Sequence, residues 1–206
     1  MMTYQQFKDY LARFVWRDGD TAFESDLDLL IRMGDARLNR DLRIQRMSRT
    51  QFAVIPGDTI PVPDDYLEMR VVTTDSRPSP LIYVSPHEME KIRITNPAQF
   101  RGVYTIAGDR IRFAGATAEE AREVTLTYYA KIPDFAAQDT SWLADEYLDL
   151  YTYAVLRHTA SYLRDDERVA LWQNEYTTTL ASVMEAEIRE RYAGGPLVPS
   201  LPGVVA

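Results

Sequence analysis

The apolar residues of this chain change their spacing twice, and that change limits the fold more than any other feature. Over 3–17, Tyr4, Phe7, Leu11 and Phe14 or Val15 recur at helical intervals, and over 21–47 Leu27, Leu30, Ile31, Leu38, Leu42 and Ile44 do so again. From Phe52 to Pro133 the rhythm shortens to brief runs broken by turn residues. From Trp142 onward it is helical once more, with one row through Leu143, Tyr147, Leu150, Tyr151, Ala154 and Val155 and another through Val169, Trp172, Tyr176, Leu180, Val183 and Ile188.

Punctuation refines the reading. Thr21 or Ser25 is placed to cap the second helix, with Glu24, Asp26 and Asp28 near its positive end. "IPGDTIPVPDDY" holds three prolines and a glycine and excludes helix. "YLEMRVVTT" and "LIYVS" are short strand candidates, and "VTLTYYAKIP" alternates Val124, Leu126 and Tyr128 against Thr125, Thr127 and Tyr129. "GVYTIAGDRIRFAG" predicts a hairpin turning at Gly108 and Asp109. One helix interrupts the strands, because Ser85, Pro86 and Glu88 form a capping box with proline at the first helical position. Asp165 is placed to cap the last helix, with Asp166 and Glu167 at its positive end. After Tyr192, two glycines end the helix and three prolines leave an extended, mildly apolar tail.

The expected fold is therefore α+β. A helical bundle comes from 1–50 and 134–193, a β-rich insertion with one short helix spans 51–133, and an extended tail covers 194–206. Helices at both ends must cover each other's apolar faces.

Composition removes several functions. Without cysteine there are no disulfides, thiol nucleophiles or thiolate metal sites. Only His87 and His158 could serve imidazole chemistry. His87 is expected to be exposed and His158 to be a satisfied core or interface residue. No nucleophile elbow or glycine-rich phosphate loop occurs. Lys8 and Asp9 rule out a signal peptide at the N-terminus. No run reaches the roughly 20 apolar residues of a membrane span, so a soluble intracellular product is expected. No enzyme, metal or cofactor is read from these residues.

One stretch invites a different reading. "RLNRDLRIQRMSR" places Arg37, Arg40, Arg43, Arg46 and Arg49 three residues apart in a chain of net charge -8. On a helix that step drifts by about 60° per residue, so the set spirals and forms no stripe. Pairing of Arg37 with Asp41 and a surface facing another protein both account for it better than a DNA grip, which would need a basic surround. "RDDER" reads as a helix cap rather than a metal site, since neighbouring helical residues point apart. Thirteen tyrosines, seven of them between 128 and 176, read as core or interface.

Taken together, "VPDDYLEMRVV", "LIYVSPHEME", "YTIAGDRIRFAG", "TYYAKIPDF" and "WLADEYLDLYTYAVLRHTASYLRDDERVALWQNEY" resemble tailed-bacteriophage head-to-tail adaptor (connector) proteins. The likeness is to the adaptors of short-tailed and related phages, sometimes called tail tubular protein A. It runs from about the second helix to Tyr176 and rests on pattern, not on a chemical motif. The resemblance implies a structural virion protein of the neck, made in the host cytoplasm. It implies a ring of typically twelve copies under the portal, a downstream tail or nozzle protein, and DNA passing through without sequence-specific binding. Arg37, Arg40, Arg43 and Arg46 facing Asp165, Asp166 and Glu167 of a neighbouring copy are the expected subunit interface. Pro196, Leu197, Val198, Pro199, Leu201, Pro202, Val204 and Val205 fit the extension that grips the portal. A general assembly protein binding another partner by its tail, and an enzyme of unrecognised type, remain the other readings.

Overall fold

A computed structural model describes residues 1–55, 57–75, 79–95, 102–114, 122–163 and 166–192. It is mixed α+β, with helices toward both ends. The chain divides into two compact units, Met1–Gln45 with Ile132 onward, and Arg46–Lys131.

The first unit is helical. Helix α1 (Tyr4–Phe14) starts from a capping box in which Thr3 and Gln6 satisfy each other's backbone amides. Helix α2 (Thr21–Asp41) is capped by Asp20, whose side chain accepts from the Phe23 amide at 3.2 Å. The expected caps, Thr21 and Ser25, lie inside the helix, because an aspartate one residue earlier already holds the first free amides. Helices α4 (Phe135–Gln138), α5 (Trp142–Glu146), α6 (Leu148–Tyr162) and α7 (Asp166–Tyr192) follow the insertion. The row expected to be continuous from Leu143 breaks at Tyr147, whose φ of -133° is not helical. Asp165, expected to cap α7, lies outside the described residues.

Packing in this unit centres on α6, which lies against both α2 and α7. Leu150, Tyr151, Ala154, Val155, Leu156 and Ala160 of α6 are all buried. Phe7, Phe135 and Tyr151 form an aromatic cluster with ring centres 4.7 to 5.8 Å apart. Tyrosines also take up the aspartates of α2. Tyr4 donates to Asp28 at 2.8 Å, Tyr162 to Asp26 at 2.6 Å, Tyr176 to Asp41 at 2.9 Å, and Tyr151 to Asp35. At Asp35 and Asp41 an apolar ring with a hydroxyl at its tip suits the place, since the rings of Tyr151 and Tyr176 join the core while their tips satisfy half-buried carboxylates.

The second unit holds two sheets. Strands β1 (Ser48–Ile55), β7 (Arg122–Ala130) and β3 (Tyr66–Thr74) form an antiparallel sheet in the order β1-β7-β3. Strands β2 (Thr59–Pro61), β6 (Arg110–Phe113), β5 (Val103–Ala107) and β4 (Ile82–Tyr83) form the other in the order β2-β6-β5-β4, with β4 parallel to β5. The β5–β6 hairpin turns at Gly108 with φ +62°, a conformation glycine adopts without penalty. Ile60, Val72, Ile111, Phe113, Val124 and Leu126 belong to the core that the two sheets share. Helix α3 (Pro86–Thr95) covers a smaller cluster through Met89 and Ile92, and its Glu88 amide donates to Ser85 as the sequence predicts.

Candidate functional site

The arginine series is the natural place to seek a site, and the backbone divides it. Helix α2 stops at Asp41, and Leu42 turns to φ -91°, ψ 132°. Only Arg37 and Arg40 are therefore helical. Arg43 follows the cap, Arg46 lies in a short 3-10 turn (Gln45–Met47), and Arg49 is in β1. The expectation of one helix through Ile44 is corrected here. Ile44 is buried, but from a segment that has left the helix.

Four of the five arginines make separate contacts. Arg37 pairs with Asp41 as expected. Arg43 donates to the carbonyls of Asn39 at 2.9 Å and Leu42 at 2.6 Å, closing the end of α2 where carbonyls lack helical partners. Arg49 pairs with Asp65 at 3.0 Å inside the second unit, beside an open hollow of about 510 Å³ that also involves Pro61, Pro63 and Tyr128. Arg40 is exposed and donates to the Ala36 carbonyl at 3.2 Å. This dispersal does not make a basic stripe of the kind that tracks phosphates.

Around the end of α2 the charges converge. The Arg157 guanidinium lies 5.1 Å from the centre of the Tyr176 ring, and Tyr176 is bonded to Asp41. Burial, then the bond to Asp41, pushes Tyr176 up to about 12. His158 is half-buried, and its Nε2 has no hydrogen-bond partner among the described residues. Burial, then Arg157, Arg37 and Arg40, hold His158 below its ordinary value, so it is neutral near pH 7. Its charged neighbours are mainly cations, which does not suit a general base. His87 is exposed, as expected.

The described residues contain no group of three or more His, Cys, Asp or Glu that could hold a metal ion. None of their helices is long and apolar enough to cross a membrane. Among the described residues the charges around the end of α2 are largely taken up in pairs, Arg37 with Asp41 and Tyr176 with Asp41.

The model of the SU10 adaptor protein family matches residues 2–200. This chain belongs to that family. It is a family of phage head-to-tail adaptors, which makes this adaptor a structural component of the virion neck by kinship. No curated protein matches the chain.

The acidic half of the expected interface is only partly visible in the adaptor. Asp165 is outside the described residues, Asp166 begins α7, and Glu167 is exposed on its first turn. The tail positions Pro196, Leu197, Val198, Pro199, Leu201, Pro202, Val204 and Val205 also lie outside the described residues. Sequence reasoning missed the aspartate–tyrosine pairs along α2. The signal was present in thirteen tyrosines and in aspartates at 26, 28, 35 and 41, but their pairing spans more than a hundred residues in three of the four cases.

Proposed function

We propose that this adaptor assembles as a ring of about twelve copies beneath the portal, extends the DNA channel and offers tail components a platform, as in tail tubular protein A. Family membership over residues 2–200 carries the reading. Ring closure needs one heterologous contact repeated by rotation. Arg40, with Arg37, Arg43 and Arg46 nearby in sequence, supplies the basic side, and Asp165, Asp166 and Glu167 of the next copy supply the acidic side. The tail from Pro196 to Val205 docks on the portal, since an apolar peptide of this composition gains most by lying on a partner. A net charge of -8, with Arg37 and Arg49 already paired to carboxylates, supports passage of DNA without adhesion.

The test mixes the full chain with the portal protein of the same genome and weighs the product by native mass spectrometry. Repeated additions of 23.7 kDa, lost when the chain ends at Ala193, are expected. A one-to-one complex would point to a general assembly protein instead, and no binding would overturn the portal reading.

A further inference from the structure

We infer that the outward faces of α2 and α7 are the two halves of one contact between copies of this chain. The inference deepens the adaptor reading and rests on it. Each face is a solvent-exposed row on a helix whose opposite side is buried. On α2 the outward row is Ala22, Ser25, Leu29, Met33, Ala36 and Arg40, all exposed, while Phe23, Leu27, Leu30 and Leu38 point inward. Leu29 is 62% exposed and Met33 41%. On α7 the outward row is Glu167, Leu171, Asn174, Thr178, Ala181 and Glu185, continuing to Ile188, while Trp172, Tyr176 and Val183 point inward. Leu171 is 53% exposed and Ile188 51%.

A lone exposed leucine means nothing. A row in which large apolar residues sit among Ala, Ser and Thr at spacings of three and four is different. It lets a second helix approach to the 8–10 Å of ordinary helix packing. Alanine and serine leave grooves that leucine, methionine or isoleucine ridges from the other helix can fill.

Charge selects which face meets which. The α2 row ends in Arg40, whereas the α7 row carries Glu167 and Glu185. Packing α2 on α2 in parallel would bring Arg40 against Arg40, and packing α7 on α7 would gather glutamates. Packing α2 of one copy on α7 of the next places a cation beside an anion in either direction. The antiparallel arrangement puts Arg40 beside Glu167, the parallel one beside Glu185. Both faces exist on every copy, and both helices lie against the buried α6, so using one leaves the other available. Such a contact is heterologous and propagates from copy to copy. The occupant is therefore a second copy of this chain.

The absence of native cysteine makes the test clean. Full-length chains carrying Ser25→Cys with Ala181→Cys, or Ala36→Cys with Ala181→Cys, are assembled on the portal, oxidised and run on a non-reducing gel. A ladder of covalent multimers from one pair is expected and fixes the direction of packing, while none of the three single substitutions gives a dimer. Multimers on the portal by native mass without a ladder from either pair would leave the adaptor reading standing and overturn this contact. Dimers from a single substitution would overturn it too, by showing like faces meeting. If no multimer forms on the portal, the adaptor reading fails first.

Discussion

The Tyr176 hydroxyl donates to Asp41 at 2.9 Å, tying the longest helix to the last residue of α2. The ring of Tyr176 is buried and Asp41 is also held by Arg37. Tyr176→Phe keeps the packing and removes the bond. The expected loss is about 1 kcal/mol in urea unfolding, against roughly 3–5 kcal/mol for Tyr176→Ala, which also empties the core. Equal stability of the Phe variant and the natural chain would show that the bond contributes nothing net.

Gly34 faces Val155 so closely that an added Cβ would stand 2.8 Å from the valine Cγ2. Gly34→Ala gains helix propensity of about 1 kcal/mol but overpacks a fully buried joint, at a cost of about 1–3 kcal/mol. A net fall in melting temperature is expected, with partial recovery when Val155→Ala is added. A more stable single variant would show that α2 and α6 can move apart freely.

Asp35 gives the fold a pH dependence. Burial pushes its carboxyl up to about 6, although the bond from Tyr151 pulls the other way, and Asp134 adds to the rise. The folded chain thus holds a proton that the unfolded chain has already lost between about pH 4 and 6, so this group's contribution falls as pH rises through that window. Asp35→Asn retains the acceptor for Tyr151 without the charge. Its stability relative to the natural chain should grow by up to about 3 kcal/mol from pH 4 to pH 7, at 1.4 kcal/mol per pH unit. Parallel pH profiles in denaturant titrations would refute this.

Arg40 and Arg43 separate assembly from folding. Arg40→Glu reverses an exposed charge and should lower the number of copies bound to the portal, with a smaller loss of stability than Arg43→Glu because its single carbonyl bond lies in solvent. Arg43→Glu removes two bonds to carbonyls at the end of α2 and should destabilise the free chain by about 1–2 kcal/mol. Equal effects of the two on assembly and stability would contradict this division.

Much of the fold could be read in the sequence, for reasons visible in particular residues. The hairpin at Gly108 and the helix after Ser85 each carry local chemistry that no distant contact overrides. The end of α2 was not legible. No glycine or proline marks it, and Leu42 and Ile44 continue the apolar rhythm because both are buried from a non-helical segment. Strand β1 was hidden for the opposite reason, since Phe52 and Val54 point to solvent and break the rule that apolar alternation faces a core. The evenly spaced arginines had misled by their regularity, because four kinds of backbone carry them: α-helix, an irregular segment, a 3-10 turn and a strand. The outward row of α2 was obscured by the charges at its end.

The close approach at Gly34 has a geometric reach beyond one subunit. If copies join through α2 and α7, the spacing of α2 from α6 becomes part of the width that each copy adds around the ring. An error of half an ångström there is trivial in a monomer, yet every copy would repeat it. A closed circle has no free end at which to discharge such an error, so the smallest residue in α2 would serve as the gauge that lets the last subunit meet the first.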